Sequence, residues 1–361
     1  MRLATCIALE LVAVAGVACG VCLGVMHLPR LADDYLAAPE AEAATSTGVS
    51  LVVPLPRSEL RVVPVVAPSP TVFGASDVEL LAPLGTAKVT RVKWNQGGGS
   101  ISLRVDFANG ARAAFKPEQI HMQSEPRREI AAYHLDRLLG LWRVPPAKPG
   151  AIPLADILAG VEPASREQVA DRLMKEATIR DGVLHGELSW WIPEIRQARI
   201  GAYGVDEPEG RALWISYLQV GAAIPPAVRP LVEQLVACVL FDVLVDNPDR
   251  WSGNNTVMSP DGKTFYVMDN TMTFSLARFG HELNLGVLHR IQVFPRGLVE
   301  RMRALTEERF AAVLEDGGET QLGRLLDPQQ IRAVIQRRDN VLKYIDQLVA
   351  VHGERAVLAL P

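Results

Sequence analysis

Residues 230–274 constrain the fold more than any other stretch. The run LVEQLVACVLFDVLVDN at 231–247 is apolar on every side of a helix. Such a helix must be buried all round, so a lobe has to be built about it. It leads into PDRWSGNN at 248–255, a loop rich in Asn, Pro and Gly, and then into the strand-like FYVM at 265–268, which ends on Asp269. Asp249, Asn254 and Asp269 follow one another at intervals of five and fifteen residues. Oxygen ligands from a loop and a strand end, Asn254 and Asp269, suit a hard divalent cation, Mg²⁺ or Mn²⁺, held beside phosphate oxygens. A further carboxylate, Asp249, can orient an attacking hydroxyl. These are the parts of a phosphotransferase.

A chain of 361 residues has room for two lobes around a cleft. With 48% hydrophobic and 22% charged residues it is not a disordered chain, and a net charge of −4 gives no basic footprint for nucleic acid as a partner. Cys6, Cys19 and Cys22 lie in the first apolar segment. That leaves Cys238 alone in the body, so neither a disulfide framework nor a cysteine zinc site forms there.

Residues 3–26 are apolar apart from Thr5 and Glu10, long enough to span a bilayer. The expectation is a signal anchor over 1–30, with a cleaved signal peptide as the alternative, and a body on the non-cytosolic side of the membrane. Residues 31–83 are rich in Ala and Pro and read as an extended linker. The remainder divides into a first lobe at 84–185, a second at 186–352 and a tail at 353–361 without signal.

In the first lobe, residues 89–94, 101–107 and 111–116 alternate as three strands, the second and third joined by the hairpin signal Asn109-Gly110. Gly97, Gly98 and Gly99 break the first pair. Glycines there let backbone N–H groups approach a phosphate, although such a turn is as often only flexible. Lys116 closes the third strand, where a lysine alone would usually reach to solvent. A helix follows over about 129–139, stopped by Gly140, with Glu129 in its first turn. There Glu129 either favours the helix dipole or faces the sheet to pair with Lys116 or a metal. Further on, 165–180 reads as a helix with Ser165 as N-cap, 182–192 as a strand linking two lobes, 200–211 as a loop, 275–290 as irregular, and 295–351 as mostly helical. The fold class expected is α+β: an antiparallel sheet with a helix, then a mainly helical lobe.

Two strings, AFKP followed by REIAAYHLDRLLGLWRVPPA at 128–147, and DNPDRWSGNN followed by VMDN, resemble the atypical secretory-pathway kinases of the Golgi casein kinase and Four-jointed type. HipA-like and phosphatidylinositol kinases are more distant. The resemblance covers about 85–350. It implies a two-lobed kinase-like fold in which Lys116 holds ATP phosphates and Glu129 partners it or joins the metal site. Asp249 is then the catalytic carboxylate, while Asn254 and Asp269 hold Mg²⁺ or Mn²⁺. Gly97, Gly98 and Gly99 cover the phosphates, and the segment from Glu187 to Trp191 is the interlobe hinge. The implied activity is phosphate transfer from ATP to a hydroxyl acceptor, most simply Ser/Thr of proteins. Glycan or lipid acceptors, or a pseudokinase binding module, are the alternatives. Trp251 stands where several relatives carry His, and Asp269 is followed by Asn-Thr-Met without the usual glycine.

Overall fold

Alternation of apolar residues makes Val89–Trp94 (β1), Leu103–Phe107 (β2) and Arg112–Pro117 (β3) a meander whose inward side chains, such as Leu103, Val105, Ala113 and Phe115, are buried. These coordinates are a computed structural model that describes residues 72–95, 99–121, 124–253, 255–315 and 322–361. All of them fall within one compact unit, Val66–Pro361. The β2–β3 turn is longer than the two-residue hairpin expected. Phe107 N–H donates to Ala111 O at 2.9 Å, and Gly110 supplies the left-handed residue at φ +83°.

Beyond β3 the sheet continues through Val183–Trp190 (β6) to Ala147–Pro153 (β4), and Ile179–Arg180 (β5) pairs with β6. All pairings are antiparallel, and Lys116 of β3 stands opposite Glu187 of β6. Gly186 makes this possible, because a Cβ there would lie 2.2 Å from the Lys116 carbonyl. The boundary expected at 185/186 therefore falls inside β6, an interior strand of the sheet. Glu187 and Ser189 belong to the sheet, and the chain leaves it only after Trp190. Leu154–Gly160 (α3) and Arg166–Glu176 (α4) close the other face over Ile157, Val169 and Leu173.

Two elements join the lobes. Asp77–Leu81 (α1) lies within the stretch expected to be linker, so residues 72–82 correct that reading. Asp77 accepts from Arg137 Nε at 2.6 Å and from Tyr133 Oη at 3.1 Å. Phe73 packs edge-on to Trp190 with ring centroids 5.7 Å apart and stacks on Tyr266 at 5.9 Å. These rings form a small core of their own with Leu80, Ile192 and Val257. The segment is a strap across the back of the cleft. The second joining element is Pro126–Leu138 (α2), started by Pro126 at its first turn and stopped by Gly140 at φ +65°. Its apolar face, including Ile130, Ala131 and Leu135, packs into the core of the second lobe.

That core is organised by Arg229–Val245 (α6), twelve of whose residues are buried. Around it lie Pro208–Ser216 (α5), Glu282–Leu288 (α7), Arg296–Arg303 (α8), Glu307–Glu315 (α9) and Pro328–His352 (α10). The loop expected at 200–211 contains a short hairpin, Arg199–Ile200 (β8) with Tyr203–Gly204 (β9), and the start of α5. The irregular 275–290 contains α7. The tail without signal is structural: Glu354–Val357 (α11) is followed by Leu360, whose backbone pairs with Phe294 and Arg296, and Val357 and Leu360 are buried. Among the described residues no helix is long and apolar enough to cross a membrane, and the anchor expected at 3–26 lies outside them.

Candidate active site

Helix α6 ends on Asp246 in the left-handed conformation, at φ +59°, and so turns the chain sharply into residues 247–250. Asn247 Oδ1 accepts from the Asp249 N–H at 3.0 Å, an Asx turn that sets the direction of the Asp249 side chain. Asn255 Nδ2 then donates to Asp249 Oδ2 at 2.8 Å. Arg250, 0% exposed, is the keystone of this corner. It pairs with the equally buried Asp242 of α6 at 3.1 Å. It also donates to the carbonyls of Asn255 and Met268 and to Asn270 Oδ1. One guanidinium thus joins the helix, the loop and the segment carrying Asp269, its donor fork matched to four acceptors. The Asp242 carboxyl is pushed up by burial and held against that by Arg250.

Val257–Met258 (β10) pairs with Phe265–Tyr266 (β11) on one side and Arg196–Gln197 (β7) on the other. After β11 the chain reaches Asp269 at φ +58°, a left-handed residue. Its side chain, 48% exposed, meets Lys116 Nζ at 2.7 Å. Lys116 Nζ lies 3.8 Å from Glu129 Oε2. Asn270, at the position after Asp269, takes hold of Glu129: its N–H donates to Oε2 at 2.6 Å and its Nδ2 to Oε1 at 3.1 Å. Glu129 thus faces the sheet, paired with Lys116 and fixed by Asn270, rather than serving its helix dipole.

Sequence reasoning missed Glu187 as a site residue, having placed it in a hinge. It is 1% exposed, Ser189 Oγ donates to its Oε1, and its Oε2 has no partner among the described residues. The signal was available in GVLHGELSWW: Leu184 and Leu188 point into the sheet's core, so Glu187 and Ser189 must point the other way. Burial, then Glu129 nearby, pushes the Glu187 carboxyl up to about 8. Burial likewise raises Glu129 against the pull of Lys116, whereas the Lys116 ammonium holds Asp269 below the usual carboxylate range. Burial opposes the charge on Lys116, but Asp269, Glu129 and Glu187 together outweigh it and raise its pKa.

These groups line one end of a cleft of about 320 Å³, within the range of small-ligand sites. Trp190, Trp191, Ile192, Val257 and Met268 give its other end an apolar lining, and Asn95 and Ser102, which flank the glycine turn, border it. Asn255 reaches the cleft and hands Asp249 to its edge. Gly99 is exposed, its carbonyl bonded by Arg172 Nη2 at 2.7 Å. Ile101 beside it is clamped by Gln119 through both N–H and C=O. Gly97, Gly98 and Asn254 lie outside the described residues. Among the described residues no three His, Cys, Asp or Glu side chains already form a metal-binding set. Lys116 occupies the centre of the carboxylates instead, and Glu129, Glu187 and Asp269 outnumber it three to one.

No family model matches the chain. It is 21% identical over 312 residues to the human glycosaminoglycan xylosylkinase, covering 76% of each chain. A segment of 80 residues, 19% of this chain and 14% of the other, is 38% identical to the human extracellular serine/threonine protein kinase FAM20C. The crystal structure of the Golgi casein kinase with Mn/ADP bound superposes with a TM-score of 0.62 over 78% of both chains, at 16% identity. The chain is thus related in sequence to the secretory-pathway kinases and carries the fold of the Golgi casein kinase.

Proposed function

We propose that this protein is an ATP-dependent kinase that transfers the γ-phosphate to a hydroxyl acceptor, tethered to a membrane through residues 3–26. The observation that carries the reading is the meeting of Lys116 with Asp269 and Glu129, drawn from a strand, a strand end and a helix, in a cleft that is apolar at its other end. The Trp190–Met268 end suits a purine base and the Lys116 end its phosphates. The Golgi casein kinase, a structure of the same fold, was solved with manganese and ADP bound, which supports ATP with Mn²⁺ or Mg²⁺ here.

The residues fit a divalent cation. Glu187 Oε2 is a buried oxygen without a partner, and three carboxylates face one ammonium. Asp269 and Glu187 would hold the ion, with Asn254 as the amide ligand proposed from sequence. A cation so held supplies charge neutralisation on the phosphate oxygens. The chain's own residues do the rest. Lys116 pairs with phosphate oxygens, its orientation set by Glu129, which Asn270 in turn fixes. Asp249, aimed by Asn247 and Asn255, accepts the proton of the incoming hydroxyl as its oxygen bonds to the γ-phosphorus and the bond from that phosphorus to the departing ADP oxygen breaks. Gly97, Gly98 and Gly99 are the residues proposed from sequence to cover the phosphates, and of these Gly99 is held by Arg172.

Ser/Thr of proteins is the proposed acceptor, supported by the 38% identical segment shared with a protein kinase. A sugar hydroxyl is the second reading, favoured by the longer match to a xylosylkinase. Initial rates of label transfer from ATP to Ser/Thr peptides and to xylosides, each with Mn²⁺, separate them. Faster peptide phosphorylation is expected; labelling of xylosides alone would assign the sugar hydroxyl, and labelling of neither would remove both.

A further inference from the structure

A second polar cavity, of about 140 Å³, lies behind the cleft between the start of α2 and the start of α10. It is lined by Glu125, Arg127, Arg128, Arg324, Asp327 and Gln330, with Leu325. Three guanidinium groups therefore face two carboxylates, and the carboxylates are not free to serve all three. Glu125 is engaged by Arg127, whose Nε and Nη2 donate to it at 3.0 and 2.9 Å. Asp327 is the N-cap residue of α10. Neither Arg128 nor Arg324 forms a side-chain hydrogen bond or ion pair with any described residue, and Arg128 Nε is fully buried without a partner. The two neighbouring arginines behave oppositely. Glu125 raises Arg127 above the ordinary arginine range, while burial pushes Arg128 below it. A half-buried, unpaired guanidinium is costly unless an anion completes it.

We propose that this cavity binds a phosphate-class oxyanion, held by Arg128 and Arg324 and bordered by the first turn of α10. Its size admits one such group and a few waters, not a nucleotide. Guanidinium forks match tetrahedral oxyanions, and the cavity lies at the positive dipole end of a 25-residue helix whose first turn Asp327 caps. The position gives the ligand a structural consequence. Glu125 N–H donates to Thr271 O at 3.4 Å, Gln330 Nε2 to Phe274 O at 2.8 Å, and Arg127 Nη1 to Arg324 O at 3.5 Å. An anion here cross-links the helix that carries Glu129, the segment that follows Asp269, and α10. The ligand is either free phosphate or a phosphate monoester carried on a larger molecule. The inference does not depend on phosphotransfer.

Calorimetric titration of the full chain with inorganic phosphate, against chloride at matched ionic strength, tests it. Saturable binding is expected, weakened roughly tenfold or more in Arg128→Met and in Arg324→Gln, the loss of a charge-assisted contact. Arg324 is exposed, so its substitution leaves the fold intact should Arg128→Met not fold. Lys116→Met should retain the binding. No saturable binding by the native chain would overturn the proposal. So would binding lost in Lys116→Met and kept in both arginine variants, which would place the anion in the nucleotide cleft. O-phosphoserine distinguishes the sources: binding as tight as phosphate identifies a carried monoester, and exclusion of it identifies the free anion, with the site upheld in either case.

Discussion

Lys116 and Asp269 are 153 residues apart in the chain and 2.7 Å apart in space, and their pairing sets the chemistry of the cleft. Replacing Lys116 with Met should lower transfer by roughly two to three orders of magnitude, as loss of one preorganised charge does. Asp249→Asn should keep nucleotide affinity and lose roughly 10²–10⁴ in kcat, since it removes only the proton acceptor. Glu187 gives a prediction on pH. Its carboxyl is raised from 4.5 to about 8, so between those values the folded state binds more protons than the unfolded state, and stability falls as pH rises. Asp269 has the opposite sign, but its contribution is fully present above the ordinary carboxylate range and is flat across this window. Urea unfolding of the metal-free protein should show that fall from pH 5 to 8, and Glu187→Gln should flatten it. An unchanged slope in the variant would remove Glu187 as its source. Lys116, Glu129, Asp249 and Asp269 could be singled out by the resemblance, and the structure brings Lys116, Glu129 and Asp269 together. Glu187 was not, because a loosely alternating strand was read for its ends and not for its faces.

At the scale of elements, the corner made by α6, residues 247–255 and β11 depends on the buried Asp242–Arg250 pair. Breaking such a pair leaves an uncompensated buried charge, so Asp242→Ala should cost about 3–5 kcal/mol in unfolding free energy. Restoring shape without charge, as in Asp242→Asn, should recover part of it. The strap at residues 72–82 acts on α2 through Asp77, Arg137 and Tyr133. Asp77→Ala should lower stability by about 1.5–3 kcal/mol, the worth of a charge-assisted bond. Because Phe73 of the same strap packs edge-on against Trp190, it should also weaken ATP binding. Equal KM for ATP in the variant and the native chain would confine the strap to stability. Helix α6 was readable from its nearly unbroken apolar run and the meander from its alternation. The strap was not: it follows a Pro- and Ala-rich stretch and reads as its continuation, and beyond the Ser76–Glu79 capping box its structure comes from tertiary partners, Arg137 and Trp190. The same holds for the tail, where Val357 and Leu360 are too few to make a pattern before Phe294 and Arg296 pair with them.

For the molecule as a whole, two separate cores, one beneath the sheet and one around α6, leave the cleft between them. Helix α2 belongs to the core of the second lobe while presenting Glu129 to the sheet, so one helix ties the second lobe to Lys116. This division was legible in outline, since strands precede helices in the sequence. The place where the lobes separate was not, because β6 is an interior strand of the sheet and the chain leaves it only after Trp190. Transfer of labelled γ-phosphate from ATP in the presence of Mn²⁺ tests the central claim most directly, with the full chain, Lys116→Met, Asp249→Asn and Asp269→Ala run side by side. The native chain should label a hydroxyl acceptor, Asp249→Asn should bind ATP without transfer, and Lys116→Met and Asp269→Ala should lose both. Transfer that persists in all three variants would contradict the account.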